Sequence, residues 1–370
     1  MENKVVDFRT LIQEVINTKG KWYHEKVVRK NMCYIWDESL CQEFIRKYME
    51  SAGTTQEPES LVEILSMSNN RTINPNRYQH ILMTYFFGLA IYNNCSIIKK
   101  AVDEGFCQNS KYECALEKHV GEEFSYLWFL ICLFHDLGYQ YENDFKKAEK
   151  MFPDFSTLNS QTIFDNTSIL EIIDGVPDLY KNVVENYFNL RRCEHNVYDH
   201  GIVGGMQLYH DLCEIRQKKH DALQNKEAVN KGFWKEELNQ IFAYAASVVL
   251  CHNIFFASND KDVEMYKNYQ LEPLINTKRE YRVILSKYPV FFLFCLVDAL
   301  EPIKIVKDVN YLDKISYRFT DDSIEYFNKL TCGCHDRLND KVRDLQNWLC
   351  PLKEHNGKFV IGFKEYMPNN

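Results

Sequence analysis

Tyr126-Leu127-Trp128-Phe129-Leu130-Ile131-Cys132-Leu133-Phe134-His135-Asp136-Leu137-Gly138 is the stretch on which the reading of the whole chain turns. An uninterrupted apolar run predicts a buried helix, and this one ends by delivering an imidazole and a carboxylate side by side. Burying such a pair without partners is costly, whereas a cation placed between them removes the penalty.

Three further apolar segments carry residues of the same kind. Arg77, His80, Ile81, Thr84, Phe87, Gly88 and Ile91 form a stripe of helical spacing that predicts a helix over about 76–93. A run beginning near Trp234 ends Ser247-Val248-Val249-Leu250-Cys251-His252-Asn253, again delivering a histidine. In Phe294-Cys295-Leu296-Val297-Asp298-Ala299-Leu300-Glu301 an aspartate stands where core packing favours leucine, with Glu301 one turn further on. Alone, His80 or His252 reads most simply as a hydrogen-bonded core histidine. Together, His80, His135, Asp136, His252 and Asp298 read as metal ligands. Imidazole nitrogen with carboxylate oxygen suits Mn, Fe, Ni, Zn or, with fewer imidazoles, Mg, and the absence of cysteine among them favours an open catalytic site over a closed structural zinc site.

Composition bounds the rest. The 370 residues are 45% hydrophobic and 14% aromatic, a packed globular composition rather than a disordered one. A net charge of −8 excludes a global basic field, so neither a stable nucleic-acid complex nor recruitment to an anionic membrane is expected. The apolar runs are too short to span a bilayer and the first residues hold no apolar signal core, which predicts a soluble protein. Thirteen irregularly spread cysteines, several inside apolar runs, suit free thiols in a reducing cytoplasm.

The predicted fold is mainly α-helical. Residues 1–70 read as an N-terminal helical extension (Phe8 to Ile16, then Leu40 to Tyr48), 71–310 as a helical core, and 311–370 as a small C-terminal α/β addition with strands near Tyr317–Phe319 and Lys358–Phe363. Residues 151–190 carry no clear pattern. In Cys193-Glu194-His195-Asn196-Val197-Tyr198-Asp199-His200-Gly201, Asp199 is placed to cap a helix, and Gly201, Gly204 and Gly205 would let it approach another backbone closely. The aromatic stripes at 85–92 and 288–294 read as core. The cluster Cys332-Gly333-Cys334-His335 lacks a second half for zinc and reads as free thiols near a turn.

The order His80 … His135-Asp136 … Asp298, each member embedded in an apolar helix, resembles the HD-domain superfamily of metal-dependent phosphohydrolases over residues 71–310. The resemblance implies that those four residues bind a divalent metal. In the two-metal members further histidines between the HD pair and the last aspartate hold a second ion. His200 and His252 are the candidates here, with His195 competing for the place of His200 and Asp136 bridging the two ions. No GYP signature of cyclic-dinucleotide-specific members is present.

The activity so implied is hydrolysis of a phosphomonoester or phosphodiester, with a nucleotide as the expected substrate and one or two divalent ions (Mn, Fe, Ni or Mg) as cofactor. Metal-bound water is the nucleophile in such chemistry. Arg77 and Lys304 are the nearest cations for phosphate oxygens, followed by Arg191 and Arg192, and Glu142 is a candidate to orient a ligand histidine or relay a proton. Two other expectations share the same ligands: an HD-type di-iron oxygenase, and a regulatory HD protein without catalysis.

Overall fold

In the computed structural model the described residues are 4–17, 77–113, 123–224, 235–275, 282–306, 309–320, 323–330, 360–363 and scattered positions of 337–350. The protein is mainly α-helical, as expected. Its core helices are α1 (Phe8–Asn17), α2 (Tyr78–Asn94), α3 (Glu123–Phe134), α4 (Asp178–His195), α5 (His200–Gln224), α6 (Leu238–Cys251) and α7 (Pro289–Leu300), with shorter helices between them.

The sequence explains which of these lie inside. In α2, every residue from Gln79 to Ile91 is buried, and α7 is buried from Pro289 to Val297, because neither helix carries a polar face. The aromatic stripes are therefore core: Trp128 of α3 stacks against Phe124 and donates its indole N–H to the Tyr85 carbonyl of α2 at 2.9 Å. Among the described residues no single helix is long and apolar enough to cross a membrane.

Residues 151–190, unreadable by pattern, contain Phe155–Gln161, a 3-10 turn at Ile169–Glu171 and the start of α4. Helix α4 buries Tyr180, Val183, Val184, Tyr187, Phe188 and Leu190 on one side and exposes Asp178, Lys181, Glu185 and Glu194 on the other. The charged stretch near Glu142 divides into two short helices, Tyr139–Glu142 and Phe145–Met151, the second capped by Asp144.

A four-stranded sheet closes one side. Strand β1 (Val6–Asp7) pairs antiparallel with β2 (Ile315–Phe319), Val6 opposite Tyr317; β2 pairs antiparallel with β3 (Ser323–Asn328), which runs parallel to β4 (Val360–Phe363). The first segment thus contributes a strand to the C-terminal sheet besides the expected helix, and two residues are too few to show a period-two pattern. Phe8, Phe87 and Tyr317 pack together, with ring centroids 5.2 Å (Phe8 to Phe87) and 4.9 Å (Phe87 to Tyr317) apart, and Tyr317 Oη donates to the Leu300 carbonyl at 2.8 Å. The sheet is thereby tied to the middle of α2 and the end of α7. The sequence segments 18–76 (with the expected helix at Leu40–Tyr48) and the Cys332–His335 cluster lie outside the described residues, as does most of 336–350, where the sequence pattern also predicts a helix (Leu338 to Leu349).

Candidate metal centre

The ligand candidates converge where helix ends meet. His80 is in the first turn of α2, His135 and Asp136 follow the last residue of α3, His200 opens α5, His252 follows α6, and Asp298 lies in the last turn of α7. Two of these ends are built alike: His135 Nδ1 donates to the Cys132 carbonyl at 2.8 Å, and His252 Nδ1 donates to the Val249 carbonyl at 2.7 Å. Each ring is fixed by the carbonyl three residues back, and each neutral imidazole is left with a lone pair on Nε2.

His80 and His200 are oriented by carboxylates. Glu301 Oε2 lies 2.7 Å from His80 Nδ1, and Glu142 Oε2 lies 2.5 Å from His200 Nδ1 while also accepting the His200 backbone N–H at 3.2 Å. A carboxylate holding the far nitrogen of an imidazole is the usual outer support of a metal-binding histidine. Glu142 and Glu301 thus stand in equivalent positions behind His200 and His80.

Two clusters result. His80, His135 and Asp298 bring their donor atoms within 4.8 Å of one another, as do Asp136, His200 and His252. The clusters adjoin at Asp136, whose Oδ1 is 3.2 Å from His135 Nε2 and 3.9 Å from His200 Nε2 and whose Oδ2 is 4.0 Å from His80 Nε2. His195, the rival of His200, is exposed in the last turn of α4. His200 enters the cluster because Asp199 Oδ1 caps α5, accepting the Ile202 N–H at 3.1 Å, and so turns the next side chain inward.

Close packing sets this arrangement. A Cβ on Gly138 would lie 2.0 Å from the His200 carbonyl oxygen, and one on Gly205 would lie 2.5 Å from the Leu250 backbone nitrogen. Only glycine lets the turn after Asp136 and the helix of His252 approach α5 so closely.

Three features show that these residues fit a cation. Asp136 Oδ1 is buried and has no hydrogen-bond partner, an expensive condition for a carboxylate oxygen. Burial, outweighing the attraction of Asp136, lowers the His135 pKa to about 4, and burial with the neighbouring His200 lowers that of His252 to about 3, so both rings are neutral at pH 7. Finally, Nε2 atoms face each other in pairs, His80 with His135 at 3.1 Å and His200 with His252 at 3.1 Å. Two imidazole nitrogens converging in this way form a donor arrangement that a positive ion reached by both would fill. Asp298, at 20% side-chain exposure, is the most open of the six ligand candidates and faces a cleft.

Cations surround the carboxylates. Arg77 Nη1 donates to Asp136 Oδ2 at 2.8 Å, and its guanidinium lies 3.7 Å over the Tyr139 ring, which stacks on the His200 ring at 3.9 Å. Lys304 Nζ donates to Asp298 Oδ1 at 2.5 Å. Burial opposes the charge of both carboxylates, but His135, Lys304, His80 and Arg77 overcome it and hold Asp136 far below the ordinary carboxylate value, and Lys304 with the histidines does the same for Asp298. For His80, burial and Lys304 disfavour protonation, yet Asp298 and Glu301 outweigh them and raise its pKa.

Arg191 binds Glu142 Oε1 at 3.3 Å and pairs with Asp199 at 3.5 Å, whereas Arg192 donates to Tyr198 Oη at 3.2 Å, away from the cluster. Sequence reasoning missed the orienting role of Glu301, the stacked Tyr139, the Asp199–Asn253 contact at 2.6 Å, and Lys341, whose charge burial and the nearby Lys304 disfavour. Only Glu301 had a signal, its helical spacing from Asp298; the others reach the site through the fold.

Comparison of the chain with protein-family models, with curated proteins and with solved structures finds no match.

Proposed function

We propose that this protein is a metal-dependent phosphohydrolase of the HD type, residues 71–310 forming the catalytic core, acting in the cytoplasm on a small phosphoester of the nucleotide class. The observation that carries the reading is the pair of imidazole–carboxylate clusters adjoining at Asp136 with cations at their edge. His80, His135 and Asp298 would hold one divalent ion, His200 and His252 a second, with Asp136 between them. Bound there, such an ion supplies a Lewis acid and a water whose pKa falls from about 15.7 toward 7.

The chain's own residues do the rest. Glu142 and Glu301 keep the lone pairs of His200 and His80 directed inward, and Arg77 and Lys304 neutralise carboxylate charge and offer donors to phosphate oxygens. The cations favour an anionic substrate. The described cysteines, Cys95, Cys107, Cys132, Cys193, Cys213, Cys251 and Cys295, are free thiols, which supports a reducing compartment. Four imidazoles suit iron as well as manganese, and this supports the oxygenase as the second reading.

The test is metal analysis of the purified protein together with a Mn²⁺-supplemented hydrolysis screen over nucleotides, cyclic nucleotides and generic phosphoesters. The expected result is bound transition metal and phosphate release that Asp136→Asn abolishes. Dioxygen consumption with an organic substrate and no phosphate release would overturn the hydrolase in favour of the oxygenase. Absence of metal would overturn both.

A further inference from the structure

A cleft of about 470 Å³ opens beside the metal centre, within the size range of sites for nucleoside-sized ligands. His252 and Asp298, one residue from each ligand cluster, form part of its lining, so a molecule seated there reaches both. Tyr187, Phe255, Phe256, Met265, Tyr266 and Trp348 supply the apolar walls. Arg191, held by Glu142 and Asp199, and Lys341 place cationic side chains in the lining.

Phe255 is the informative residue. It is 46% exposed, although large apolar side chains are normally covered, and its ring stands edge-on to Trp348 at 5.5 Å. The exposure is not looseness of the chain. The Phe255 carbonyl accepts from Tyr266 Oη at 3.1 Å, its N–H is 3.5 Å from Tyr187 Oη, and the Ala257 N–H donates to the Leu274 carbonyl at 2.9 Å. A pinned backbone therefore presents an aromatic face to the cleft.

Asp262, Ser258 and Asn259 are engaged with one another. Asp262 Oδ2 accepts from the Ser258 N–H, Ser258 Oγ and Asn259 Nδ2, so that carboxylate is not free to read the hydrogen-bonding edge of a ligand. With that carboxylate occupied, shape and contact with aromatic faces carry the selection that the apolar walls offer.

We infer that this cleft binds the uncharged, planar aromatic portion of the substrate, an aryl or nucleoside group, with the phosphate turned toward Asp298, His252, Arg191 and Lys341. The inference rests on the phosphohydrolase reading for the phosphate and on the cleft alone for the ring. It assigns tolerance among different aromatic groups and discrimination against small aliphatic phosphoesters.

The experiment compares binding of 1-naphthylmethylphosphonate and methylphosphonate, neither of which can be hydrolysed, by calorimetry on the full chain with Mn²⁺. The expected result is at least about tenfold tighter binding of the naphthyl compound, since an aromatic contact of this kind contributes ~1–3 kcal/mol. Phe255→Ala, a substitution at an exposed side chain, should remove most of that preference and leave methylphosphonate binding unchanged. Equal affinities in the wild type, or a preference that Phe255→Ala does not reduce, overturn the inference. Hydrolysis of 1-naphthyl phosphate and glycerol 2-phosphate is measured in parallel. Naphthyl-selective binding without any hydrolysis would uphold the cleft and refute the phosphohydrolase. Hydrolysis without naphthyl-selective binding would do the reverse.

Discussion

Acidifying the metal-free protein should weaken it in a window set by the buried imidazoles. His135 and His252 ionise in the unfolded chain near pH 6.5 but in the fold only at about 4 and about 3. Between those values the unfolded state binds the extra protons, so stability is fully present above pH 6.5 and falls as pH drops toward 4. At ~1.4 kcal/mol per pH unit for each group, and with the unfolded imidazole half protonated at pH 6.5, moving from pH 6.5 to 4.5 costs roughly 2 kcal/mol per ring, or about 4 kcal/mol for the two. His80 acts in the opposite sense, because its raised pKa makes its contribution largest at low pH and lost as pH rises. The depressed Asp136 and Asp298 contribute stability above the ordinary carboxylate range and lose it only below about pH 4, outside this window. Because His80 is already protonated in the fold below pH 6.5, it changes little in this window, and the net expectation is a loss of roughly 4 kcal/mol between pH 6.5 and 4.5.

Urea unfolding in chelator at pH 7.5, 6.5, 5.5 and 4.5 measures this. His252→Gln, which keeps a donor for the Val249 carbonyl but cannot titrate, should show a visibly shallower dependence. A flat wild-type profile, or an identical slope in the variant, would refute the claim that these rings are buried neutral.

Three other outcomes are expected. Glu142→Gln keeps the size of the side chain that orients His200 but removes its charge, and should weaken metal binding about 10–100-fold, read by competition with a chelating dye. Gly138→Ala places a methyl 2.0 Å from the His200 carbonyl and should cost about 3 kcal/mol, at the upper end for overpacking, together with bound metal; thermal unfolding and metal analysis check it. Arg77→Met removes a donor 2.8 Å from Asp136 without touching an imidazole, so KM for a phosphoester should rise about tenfold while metal content stays unchanged, charge-assisted hydrogen bonds contributing ~1.5–3 kcal/mol.

What could be read from the chain follows from physics. His80, His135, Asp136 and Asp298 stood out because a titratable side chain inside an apolar helix has few cheap explanations, and the structure gathers all four. His200 could not be separated from His195, since both lie in a polar stretch; the cap at Asp199 was legible, but which ring it turns toward the other ligands depends on how α5 packs in the fold. Tyr139 and Lys341 carried no signal, because stacking between Arg77 and His200, or standing near Lys304, exists only after distant segments meet. Helix α4 was obscured by its exposed charges, and β1 by its brevity. The helical cores were legible because burial on all sides leaves no polar face to mislead.

The pairing of Val6 and Asp7 with Ser316 and Tyr317 sets an order of events during synthesis. Strand β1 emerges first and waits for a partner made after every ligand, Asp298 included. Until then the apolar helices bearing His80 and His135 have been made without α7 to cover them, a state prone to sticking to other chains. Covering these helices thus waits on the last ligand helix, and an ion held by all the ligands would be the final component to join.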